Sequence, residues 1–202
     1  MSKLPAMLLV LLIAPAAAAA SYTGAGKAAA EEEPDPFLRP AERTPELDQE
    51  AEAIRARQAR LRWHQGLGLS TIGLVTAQAA LGQSLLNRQD RAIFDSTTDN
   101  LRTAHLAAGI AATVTYAGAA SLAFTAPKIE ETGSAGSLRA HRALAWFHGA
   151  GMLLTPTLGF YMRNQAENMD ADHLRTLKTI HQVSGYTTLA ALYGAALVIV
   201  WD

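Results

Sequence analysis

The chain has 202 residues, a formal net charge of −1 and no cysteine, which suits one domain with short extensions. The absence of cysteine excludes iron–sulfur clusters, thiolate zinc sites, c-type haem attachment and disulfides together. No block of basic residues offers itself to nucleic acid, and histidine is left as the strongest metal ligand.

The N-terminus has the pattern of a secretory leader: Lys3, then an apolar run over residues 4–14, then Ala18-Ala19-Ala20 as a small-residue cleavage site. Residues 1–20 are therefore expected to be a signal peptide, with an uncleaved first membrane helix as the alternative. Residues 21–45 carry Glu31-Glu32-Glu33-Pro34-Asp35-Pro36 and lack any apolar period, so a flexible polar segment is expected there. From Glu46 to Arg62 the sequence is charged and free of Gly and Pro. It predicts a helix running directly into the first uncharged stretch.

Beyond residue 46, four long stretches lack Asp, Glu, Lys and Arg altogether: residues 65–86, 103–127, 143–162 and 179–201. Each has about the length an α-helix needs to cross a hydrocarbon core of ~30 Å. Mean hydropathy is only +0.08, because the spans use Ala, Gly, Thr and Ser, and small residues let membrane helices approach closely. The expected fold is all-α: an integral membrane, up-down-up-down four-helix bundle over residues 46–202, its connections short enough for antiparallel neighbours.

The chain also matches itself. Leu61, Arg62, His64, Leu67, Leu81 and Gly82 fall on Leu138, Arg139, His141, Leu144, Leu158 and Gly159. Leu101, Arg102, Thr103, His105, Gly109 and Gly118 fall on Leu177, Lys178, Thr179, His181, Gly185 and Gly194. The two registers differ by a single residue, which reads as a duplicated helical hairpin.

A histidine stands at the entrance of every stretch: His64, His105, His141 and His181, with His148 one heptad inside the third. Alternating topology puts His64 and His141 near one surface and His105 and His181 near the other. Titratable side chains repeated at membrane depth point to function, and two imidazole pairs at two depths suit two b-type haems, each held by two axial histidines. His148 competes with His141 as third ligand; the repeat and the depth count favour His141. Glycine four residues after the ligand, at Gly68, Gly109 and Gly185 (Ala145 in the third stretch), shares the ligand's helical face and would leave room for a flat macrocycle. Arg62, Arg139 and Arg142 flank one pair, and Arg102, Arg175 and Lys178 the other, placed for propionates or for snorkelling to headgroups. His173, beside Asp170 and Asp172, is expected to be solvated.

Histidine placement, four helices and the His-x-x-x-Gly spacing resemble the cytochrome b561 superfamily of transmembrane dihaem electron carriers. The resemblance covers residues 60–202. It implies that His64, His141, His105 and His181 ligate two haems b, pairing between alternate helices, and that electrons cross the membrane without bond-making chemistry. Quinone or a soluble redox protein would serve as donor or acceptor, alone or within a larger redox complex. Four helices where the family often has six, and no attached extracellular domain, leave ascorbate use open. The competing reading is a cofactor-free four-helix scaffold or assembly subunit. The leader places residues 21–60 outside a bacterial-type inner membrane, although Arg55, Arg57, Arg60 and Arg62 pull the other way under the positive-inside tendency.

Overall fold

The computed structural model describes residues 45–128 and 135–200. The leader and most of the polar segment lie outside the described residues. The chain divides into two units, residues 1–51 and 52–202. The described part of the first is the opening of the first helix; the second holds the helical bundle.

Among the described residues all regular structure is helical: α1 (Pro45–Asp90), α2 (Ser96–Thr125), α3 (Ala135–Gln165), a 3₁₀ turn at Ala166–Asn168, and α4 (Ala171–Val200). The charged stretch and the first apolar stretch form one unbroken helix, as the charged stretch's lack of Pro and Gly predicts. Helix α1 stops in a Schellman motif: Ala92 takes φ 54°, its N–H reaches Gln89 O at 2.9 Å, and Ile93 N–H reaches Arg88 O at 2.9 Å. Asp95 caps α2 by accepting from Thr98 N–H at 3.0 Å, and Arg88 grips the same carboxylate at 2.6 and 2.7 Å. Asp170 caps α4 by accepting from His173 N–H at 2.8 Å. At the far end of α2, whose last carbonyls have no helical donor, Arg57 donates to Pro127 O at 3.0 Å and Arg60 to Thr125 O. Arg60 therefore closes the helix end at Thr125, and Arg57 holds the chain just beyond it.

Helices α1, α2 and α4 are long and apolar enough to cross a membrane. Helix α3 is equally long, with 31 residues, but His148, Gly149, Gly151, Thr155, Pro156, Thr157 and Gly159 dilute its apolar character. The hydrogen bonds between helices pair them antiparallel. Helix α1 meets α2 at Thr71–Thr115 (3.0 Å), and α3 meets α4 at Thr155–Ser184 (2.8 Å). Helix α1 also meets α4 along a polar seam: Thr76 with Tyr193 (3.1 Å), Gln83 with Gln182 and Tyr186 (3.0 Å each), and Gln89 with Lys178 (3.2 Å). Most repeat-equivalent positions on α3 and α2 are apolar, namely Leu153 and Phe160 on α3 and Ala117, Leu106 and Ile110 on α2; the equivalent of Lys178 is Arg102.

Packing is inverted relative to a water-soluble bundle. Most buried positions hold small or short side chains, among them Thr71, Ala112, Ala119, Thr188, Ala191 and Ala195, with Met152, Leu192 and His148 as larger exceptions, whereas Trp63, Phe124, Trp146 and Leu153 point outward, Phe124 at 78% exposure and Trp146 at 76%. Large apolar groups facing out over a close-packed small-residue interior suit lipid as the surrounding solvent. Hydroxyls in the helices satisfy themselves locally, as when Thr71 donates to Leu67 O (2.8 Å) and Thr157 to Leu153 O (2.6 Å). Among the described residues no buried side-chain polar atom lacks a hydrogen-bond partner.

Candidate functional site

Four histidines are set by one device used four times. His64 Nδ1 lies 2.9 Å from Ala119 O and His105 Nδ1 3.0 Å from Gln78 O, joining α1 and α2 reciprocally. His141 Nδ1 lies 2.8 Å from Ala195 O and His181 Nδ1 2.9 Å from Thr155 O, joining α3 and α4 in the same way. A carbonyl only accepts, so each Nδ1 carries the proton and donates. In the neutral ring this leaves Nε2 with a free lone pair, the tautomer that a metal-ligating histidine adopts when its other nitrogen is anchored to a backbone carbonyl.

The anchored rings meet in pairs, each joining a histidine of one hairpin to a histidine of the other. His64 and His141 have ring centres 6.2 Å apart and planes at 82°; His105 and His181 have centres 6.3 Å apart and planes at 68°. With metal–imidazole bonds of about 2.0–2.1 Å and roughly one ring radius added on each side, two axial imidazoles need centres about 6 Å apart. Both pairs meet that spacing.

Glycine explains how a ring reaches a carbonyl already used inside a helix. A helical side chain covers the turn N-terminal to its own Cα, so residue 82 overlies the carbonyl of Gln78, and residue 159 that of Thr155. Both are Gly. A Cβ at Gly82 would stand 3.0 Å from His105 Cε1, and one at Gly159 3.1 Å from His181 Cε1. At the other pair, Gly118 and Gly194 admit Leu67 and Leu144, with a Cβ falling 3.1 and 3.4 Å from their methyls.

The glycines four residues after the histidines divide. Gly68 faces open space, with nothing within 4 Å of an added Cβ. Gly109 and Gly185 instead receive side chains from the neighbouring helix, Gln78 Nε2 at 2.5 Å and Thr155 Cγ2 at 3.6 Å. At Gly109 glycine serves helix–helix approach, because the Gln78 side chain fills the space that the sequence spacing assigned to a macrocycle; at Gly185 the contact is an ordinary van der Waals one.

His148 is buried at 8% exposure and takes a different neighbour: its Nδ1 is 3.1 Å from the Tyr116 hydroxyl, with ring centres 5.5 Å apart. His173 is exposed. Of the flanking cations, Arg102 pairs with Asp99 at 3.2 Å and Lys178 donates to Gln89. Sequence reasoning gives no role to Tyr116, and none to Gly82 and Gly159 beyond the repeat. A signal for the glycines exists: one stands four residues beyond an acceptor in each hairpin.

Among the described residues no group of three or more His, Cys, Asp or Glu side chains converges to hold a metal ion. The histidine pairs alone would supply two ligands each, so an ion held there needs its remaining ligands from a group such as a porphyrin. No family model matches this chain, and neither a curated protein nor a solved structure does.

Proposed function

We propose that the chain is a four-span membrane protein carrying electrons between two b-type haems, similar in plan to the cytochrome b561 superfamily. His64 and His141 would hold one haem and His105 and His181 the other. The observation that carries this reading is the pair of ring separations, 6.2 and 6.3 Å, combined with carbonyl-anchored Nδ1 atoms at all four histidines. An unliganded buried imidazole needs only one partner for each nitrogen. Four rings sharing one tautomer and one paired spacing answer a stricter geometric demand.

A bound haem supplies one-electron ferric/ferrous chemistry; the chain supplies everything that makes it usable. Nδ1–H donation to a carbonyl fixes ring orientation and raises the basicity of Nε2. Lipid-facing aromatic and aliphatic side chains keep water from the interior. Small residues bring the helices close enough for paired histidines to share one group. Helix α3 would join the other three as a span, with His148 buried among its neighbours and the Thr157 hydroxyl satisfied by its own helix. Under this reading the protein sits in a bacterial-type inner membrane and exchanges electrons with a quinone or a soluble carrier.

Detergent-purified protein from haem-replete cells should show a b-type reduced-minus-oxidised spectrum and about two haems per chain by pyridine haemochrome. His105→Ala and His181→Ala should each abolish the same haem, and His64→Ala and His141→Ala the other. A colourless preparation would overturn the proposal and leave a membrane scaffold in its place.

A further inference from the structure

The two histidine pairs leave one buried histidine unused. His148 lies two helical turns beyond His141, about 10 Å deeper at ~1.5 Å per residue. Tyr116, its hydrogen-bond partner at 3.1 Å, lies less than one turn from Ala119, the residue whose carbonyl anchors His64. The Tyr116–His148 couple therefore stands just inside the His64/His141 site. Tyr116 packs against an apolar cluster of Val75, Ala112, Met152 and Leu192, with Leu189 beside it.

The titratable groups facing His148 are few. Helix α2 contributes Tyr116, α1 contributes His64, and α3 itself contributes His141, while α4 brings Leu189 and Leu192 to the adjoining cluster. The four charge-free stretches hold no carboxylate, lysine or arginine. The repeat counterparts of His148 and Tyr116 are Thr71 and Leu192, neither of which can take a proton. The couple is thus a departure from the duplication, on one side of the bundle only.

An electron delivered into a low-dielectric interior favours protonation of any nearby base. Of the nearby imidazoles, His148 is the one whose ring is outside the proposed ligand set. Its hydrogen bond survives the change: the phenol donates to Nδ1 of the neutral ring and, turned about its C–O bond, accepts from Nδ1–H of the imidazolium. We infer that His148, held by Tyr116, is a proton-binding site that takes up one proton from water when the His64/His141 site receives one electron from a one-electron donor. On re-oxidation one electron and one proton leave together, so the interior carries the same charge in both redox states. This rests on the electron-transfer reading.

The test is a spectroelectrochemical titration of the purified full chain between about pH 5.5 and 8.5, the range where histidine titrates. In the wild type the midpoint of one haem should fall as pH rises, with a slope approaching one proton per electron, while the other stays level. His148→Gln preserves a hydrogen-bonding side chain but cannot titrate, and should flatten the slope with both haems retained. Tyr116→Phe should keep the slope and displace it along the pH axis. A pH indicator in weakly buffered sample should record proton uptake on reduction in the wild type and none in His148→Gln. Level wild-type midpoints, or a slope that survives in His148→Gln, would overturn the inference alone. So would loss of a haem from His148→Gln while His141→Ala keeps both, since His148 would then be a ligand. A colourless chain would overturn this inference and the functional reading together.

Discussion

The two hairpins, α1–α2 and α3–α4, perform the same task with different side chains. Each sets two histidines against two carbonyls of the opposing helix, at 2.9 and 3.0 Å in the first and 2.8 and 2.9 Å in the second. The acceptors differ in type, Gln78 against Thr155, or are featureless, Ala119 and Ala195. What the copies share is backbone geometry plus, at one anchor of each, the glycine that uncovers it. Elsewhere they have drifted: the α1–α4 seam carries hydrogen-bonded Gln83, Gln182 and Tyr186, where the equivalent positions of α3 and α2 carry Phe160, Leu106 and Ile110. A duplicated unit can change its packing freely as long as its carbonyl anchors stay accessible.

The largest expected effect comes from covering an anchor. Gly82→Val in the first hairpin and Gly159→Val in the second should each abolish the haem proposed for His105 and His181, because the new side chain occupies the space of the imidazole. The other haem should persist. Gln78→Ala removes the side chain but keeps the carbonyl, and should retain both haems. Haem stoichiometry and the reduced spectrum check all three. Loss of haem from Gln78→Ala, or none from Gly82→Val, would break the parallel between the hairpins.

A smaller effect is expected at the seam. Gln83→Leu makes the α1–α4 seam resemble its apolar equivalent and removes hydrogen bonds from Gln182 and Tyr186. Interhelical hydrogen bonds in membranes contribute about 0.6 kcal/mol on average and up to about 1.7 kcal/mol, so denaturation in mixed micelles should show a loss in that range. An undiminished stability in Gln83→Leu would mean that the two sets of positions are energetically interchangeable.

The smallest effect belongs to the helix caps. The Thr98 backbone N–H, followed by the Arg88 guanidinium, holds the Asp95 carboxyl below its ordinary 3.8. A group lowered on folding stabilises the fold fully above its unfolded value and less as pH falls through the folded one. Thermal melts should therefore lose a small contribution below about pH 4, and Asp95→Asn should lack that dependence. Asp170→Asn in the second hairpin should cost less, since Asp95 also anchors Arg88.

Much of this is legible in the chain. The charge-free stretches locate the helices, because a span without Asp, Glu, Lys or Arg has few other uses. The matched His, Gly and Arg positions expose the duplication. The readings that need revision turn on what lies opposite a residue. Spacing alone puts Gly109 and Gly185 beside a macrocycle, yet both face side chains of the adjoining helix. Arg57 and Arg60 read as boundary charges, yet they also donate to carbonyls at the end of α2 and just beyond it. Composition counts four spans alike; among the described residues α1, α2 and α4 are long and apolar enough for a membrane crossing, and the fourth span is part of the proposed reading.

Sequence by itself determined the helical order of the described residues and four histidines in a duplicated arrangement, since helical period, charge exclusion and repetition are local properties. Tertiary structure alone decided which carbonyl receives each imidazole, how the paired rings are spaced and inclined, and that His148 turns to Tyr116. Those outcomes depend on distances between helices, and backbone carbonyls, being common to every residue type, leave no mark in the sequence.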